Sequence, residues 1–121
     1  MQTQTVEPQL VERLQAPMLP QANQDGTLDI DAIANGVEVR IPVYPGMQVG
    51  DTLFAHWRGT PSSPEIVFPE WHTVRDVEEI TVLIPASAVY DQWQHLKVWY
   101  AVRGAAVGDV TSEVVEAHIV R

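Results

Sequence analysis

The chain has no cysteine. That excludes disulfides, thiolate nucleophiles and cysteine-ligated metals, so packing and hydrogen bonds alone must hold the fold. Basic residues are scarce: 7 lysines and arginines stand against 16 aspartates and glutamates, for a formal charge of −9. No nucleic-acid partner is expected, because neutralising phosphates takes clustered Lys and Arg. The same balance speaks against anionic membrane surfaces, and its main effect is solubility. Long apolar runs are missing as well. No stretch approaches the ~20 residues of a membrane-spanning helix, so no membrane insertion is expected. The opening "MQTQTVEPQLVERLQAP" has neither the basic start nor the apolar centre of a signal peptide.

What is present is a 121-residue chain with 45% hydrophobic residues, enough for one domain with a core of its own. Residues 1–13 are polar and read as a tail or linker, with Leu10, Val11 and Leu14 placed for a short helical turn. Residues 14–121 read as the domain. "APMLPQA" carries two prolines, which suit an edge strand and forbid a central one. Asp25-Gly26 and Asn35-Gly36 are turn signals. Alternation of period two then marks strands at Val37–Val43, on "DTLFAHWRG", at Ile80–Ile84, at Leu96–Val102 and on "SEVVEAHIVR". "IVFPEWHTV" is at most a short edge strand, and "PASAVYDQWQ" reads as one helical turn crossing between sheets. About seven short strands without a long helix predict an all-β, seven-stranded antiparallel sandwich of immunoglobulin-like type, with Trp57 on the third strand where such domains bury a tryptophan.

Several stretches also resemble one family. These are "LQAPMLPQA", "LDIDAIANGVEVRIPVYPGMQVGDTLFAHWRG", "VLIPASAV", "LKVWYAV" and "SEVVEAHIV". Together they resemble an immunoglobulin-like module of large, repetitive surface or secreted proteins of pseudomonads and related bacteria. The "RIPVYPGMQVGD" corner is the specific part, and the likeness spans residues 14–121. The resemblance implies a spacer or adhesive β-sandwich at the cell surface or in secretion. It brings no catalytic residues. A cytoplasmic location is the alternative, since the chain shows no signal peptide.

Candidate chemistry is thin, and no cofactor or enzymatic activity is expected. "YPGMQVGD" has two glycines but lacks the following Lys-Ser/Thr and helix of a phosphate loop, so Gly46 and Gly50 read as turn residues. Asp25, Asp29 and Asp31 are the candidates for calcium, but "DGTLDID" does not match an EF-hand loop, and no metal is expected. His56, His95 and His118 fall on three strands and His72 in a loop, without ligand spacing. No serine lies in a nucleophile elbow. The carboxylates Glu78-Glu79 and Glu113/Glu116 read as solvated faces.

The aromatics carry more information. If Leu53, Ala55 and Trp57 point inward, Phe54, His56 and Arg58 point outward. By the same parity Lys97, Trp99 and Arg103 point outward from the neighbouring sixth strand. Phe54, His56 and Trp99, with Trp71 and Trp93 as loop residues at the rim or as local plugs, then form the candidate contact surface. Three functions follow: a non-enzymatic adhesive or structural module binding a protein or glycan partner or its sister domains, a small carbohydrate-binding module, or an acidic protein-binding or inhibitor domain.

Overall fold

The computed structural model describes residues 13–60, 70–89 and 92–121. The proposed tail falls almost wholly outside them, as does the stretch from Pro61 to Pro69. The described chain is all-β, with eight strands and two short 3₁₀ turns. The strands are β1 (Thr27–Asp29), β2 (Val37–Ile41), β3 (Thr52–Thr60), β4 (Glu70–Thr73), β5 (Ile80–Ile84), β6 (His95–Gly104), β7 (Gly108–Thr111) and β8 (Val115–Val120). Among these residues no helix is long and apolar enough to cross a membrane.

Two sheets form. The larger runs β1-β8-β6-β3-β4, with β7 also paired to β6; the smaller joins β2 to β5. Alternation explains why they face each other. Val37, Val39 and Ile41 of β2 and Ile80, Val82 and Ile84 of β5 turn one face inward. Leu53, Ala55 and Trp57 of β3, and Leu96, Val98, Tyr100 and Val102 of β6, supply the opposite face. All belong to one hydrophobic cluster. Each large apolar side chain buried here contributes roughly 1.5–3 kcal/mol, which is why a cysteine-free chain needs no covalent staple. The 3₁₀ turn Ala86–Ala88 carries the chain from β5 in one sheet to β6 in the other.

The N-terminal segment differs from the expected edge strand. Met18 makes only an isolated antiparallel bridge to Arg40, and Leu14, rather than starting a helical turn, makes a parallel bridge to Ser112. Gln21 takes over where strand pairing stops. Its side-chain amide donates to the carbonyls of Ala32 (3.0 Å) and Gly36 (3.1 Å) and accepts from the Glu38 N–H (2.7 Å). The chain then crosses to the larger sheet, where β1 runs parallel to β8. The larger sheet is therefore mixed rather than purely antiparallel.

Two strands have no counterpart in the sequence reading. β1 begins at an Asx turn, where Asp25 accepts from the Thr27 hydroxyl (2.7 Å) and N–H (3.1 Å). β7 and β8 are two halves of one edge broken by a bulge. Thr111 faces Ala101 but Val115 faces Val98, so four residues on the edge match three on β6. Ser112 closes the gap: its Oγ accepts the Tyr100 N–H (3.0 Å) and donates to the Glu113 carbonyl (2.8 Å).

The "YPGMQVGD" corner is closed from within. The Tyr44 hydroxyl donates to Asp51 Oδ2 (2.6 Å), which also accepts the Gln48 N–H (3.1 Å). Asp51 is 2% exposed. Burial, and then the hydrogen bond and charge of Asp51, push the Tyr44 phenol far above its usual range. Gly46 and Gly50 have φ of 85° and 99°, the left-handed region these turns require. The corner is thus a turn with its own buried hydrogen-bond centre. Val43, expected at the end of β2, lies beyond it and is 50% exposed.

Candidate functional site

The outer face of the larger sheet gathers the aromatic residues. Antiparallel register sets His56 opposite Trp99 and Phe54 opposite Ala101 across β3 and β6, and Phe54 opposite Trp71 across β3 and β4. Side chains directly opposite in a ladder touch. Here Phe54 and Trp71 meet edge to face, with ring centroids 5.6 Å apart at 74°. His56 and Trp99 stack in parallel at 5.5 Å and 5°. Trp71 is on β4, not in a loop, and is 72% exposed. His72, also read as a loop residue, is on β4 opposite Leu53.

Burial disfavours the charged form of His56 and lowers its imidazole below the ordinary histidine range, and its buried Nδ1 has no hydrogen-bond partner among the described residues. A neutral ring lying flat on an indole extends the apolar platform instead of interrupting it with a charge.

Next to this platform are polar rows. Arg58 stands opposite Lys97, and Thr60 opposite His95, across β3 and β6. Lys97 faces Glu116, and His95 faces His118, across β6 and β8. His95 and His118 meet edge to face at 4.7 Å, and Glu116 lies 3.7 Å from His95 Nδ1. Arg103 pairs with Asp109 at 3.0 Å, with both side chains nearly three-quarters exposed, so the pair adds little stability. Two shallow grooves flank β6: one of about 210 Å³ beside Phe54 and Arg103, another of about 310 Å³ beside Trp99.

Other candidates are not brought together. Asp25 bonds to Thr27, whose hydroxyl holds its carboxyl below the usual range. Asp29 and Asp31 are exposed on β1 and on the following 3₁₀ turn. No group of three metal-ligating side chains forms among the described residues. Trp93 is buried at 3% exposure, not at the rim, and packs on Gly59. The sequence pattern named the outward residues of β3 and β6 but missed Arg13, which the parallel bridge at Leu14 carries to the groove beside Trp99. No signal in the sequence marks that bridge.

No family model matches this chain, and no curated protein or solved structure is significantly similar to it. Any contact role therefore rests on the face itself.

Proposed function

We propose that the chain is an immunoglobulin-like module of a bacterial surface or secreted protein, non-enzymatic and structural or adhesive in role. It meets a protein or glycan partner through the outer face of its larger sheet. The strand order supports the immunoglobulin-like part. One sheet carries β8, β6, β3 and β4 side by side, the other β2 and β5, and Trp57 is buried on β3 at 4% exposure. The family likeness of the "RIPVYPGMQVGD" corner supports the bacterial module.

The contact role rests on one observation: two cross-strand aromatic pairs, Phe54–Trp71 and His56–Trp99, lie on the same outer face. Trp71 is exposed and Phe54, His56 and Trp99 are half-buried beside it; aromatics gathered on one outer face mark contact surfaces, because they offer large apolar area at low entropic cost. The test is a binding screen against a glycan array and a panel of bacterial and host surface proteins. A specific partner is expected, and both Trp71→Ala and Trp99→Ala should weaken it while circular dichroism stays unchanged. A screen with no partner, or a partner indifferent to both substitutions, rejects this contact face.

A further inference from the structure

The groove beside Trp99 concentrates positive charge on an acidic protein. It is lined by Arg13, Arg58, Lys97, Trp99, Thr111 and Val114, among others. Three of the chain's 7 lysines and arginines thus converge where the net charge is −9. They come from three segments: Arg13 from the N-terminal strip, Arg58 from β3 and Lys97 from β6. The bulge between β7 and β8 makes up the remaining wall, through Thr111 and Val114. Bulges re-aim side chains, and they recur beside binding sites.

We propose that this groove binds an acidic saccharide, a sugar chain bearing carboxylates. The proposal rests on the contact face assigned above and names its ligand class. Trp99, half-buried, offers indole surface for the apolar face of a sugar ring. Arg58 stands opposite Lys97 across the strand pair but already has a partner, so Lys97 is the cation placed to meet a carboxylate. The nearby acids are partly engaged. Glu113 lies 3.8 Å from Arg13, and Glu116, which faces Lys97, lies 3.7 Å from His95. Lys97 makes no salt bridge among the described residues. At physiological salt, charges beyond roughly 8 Å are screened, so the balance is local: Arg13, Arg58 and Lys97 against Glu113 and Glu116.

The experiment titrates the whole chain with oligogalacturonate and with the same oligomer fully methyl-esterified, at low and high salt, following backbone amide shifts. The acid is expected to bind with shifts at Lys97–Trp99 and Thr111–Val114, and the ester about tenfold more weakly or not at all. Raising the salt should weaken the acid. Lys97→Glu should weaken it about fivefold with the fold intact, the size of one solvent-exposed charge contact. Equal binding of acid and ester on this face overturns the charge assignment but leaves the contact face standing. Binding that shifts residues elsewhere overturns both. If neither oligomer binds at millimolar concentration, the acidic-saccharide inference is overturned, while the array judges the contact face independently.

Discussion

Gly59 shows how narrow the tolerances are at single residues. A Cβ built there would sit 1.7 Å from Trp93 Cδ2, inside the indole. The glycine is therefore what lets Trp93 lie flat on the β3 backbone and be buried despite standing between elements. Gly59→Ala must displace the ring, and overpacking of this kind costs about 1–3 kcal/mol. Chemical denaturation should show that loss, and Trp93→Ala should absorb most of it in the double variant, since the clash then has no partner. Trp93 does stand in a loop, as the sequence has it, but the pattern leaves open whether it lies at the rim or plugs the core, because its partner lies 34 positions away in the chain, beyond any local pattern. Phe54 and His56 were legible as outward residues because parity in a half-buried strand is strict. That His56 would stack on Trp99 was not, since it depends on the β3–β6 register.

Among the elements, the interrupted edge strand is the least regular. Ser112 is fully buried and replaces a missing rung with its hydroxyl. Ser112→Ala leaves the Tyr100 N–H without that acceptor, at a cost of about 1–3 kcal/mol. Hydrogen exchange should show the Tyr100 amide losing protection while β2 and β5 keep theirs; uniform loss across both sheets would contradict a local role. The bulge also explains what the sequence hid. Val110 and Ser112 face in on even positions, whereas Ala117 and Ile119 face in on odd ones, so the added residue breaks the alternation that marks a strand. Strands β2, β3, β5 and β6 alternate without interruption and were read directly. Four-residue β4 is legible as the short edge strand within "IVFPEWHTV", but too short to show that Trp71 and His72 lie on it.

For the whole molecule, buried titratable groups bound the pH range. His56 is depressed by burial, so the unfolded chain, with histidine near 6.5, binds its proton first as the medium acidifies. The stability from keeping it neutral is fully present above that value and is lost as pH falls through the lower folded value. Tyr100 lies on the other side. Burial pushes its phenol up to about 12 from 10.0, and its hydroxyl donates to the Gln15 carbonyl at 2.8 Å. Its contribution is fully present below about pH 10 and fades as the pH rises through about 12. Denaturation midpoints measured across pH should therefore form a plateau with both limbs descending. His56→Phe should make the acid limb shallower, with Asp25 still contributing, and Tyr100→Phe the alkaline one, with Tyr44 still contributing.

The N-terminal strip and the last strand run side by side in the same direction. Leu14 exchanges hydrogen bonds with Thr111 (3.1 Å) and Glu113 (2.8 Å), and β1 then runs alongside β8. Because the neighbours are parallel, tension applied at Arg13 and Arg121 loads these rungs in shear, all at once, rather than peeling them one by one. Pulled from these two points, the fold would act as a mechanical clamp, yielding only when the N-terminal strip and the last strand slide past each other together.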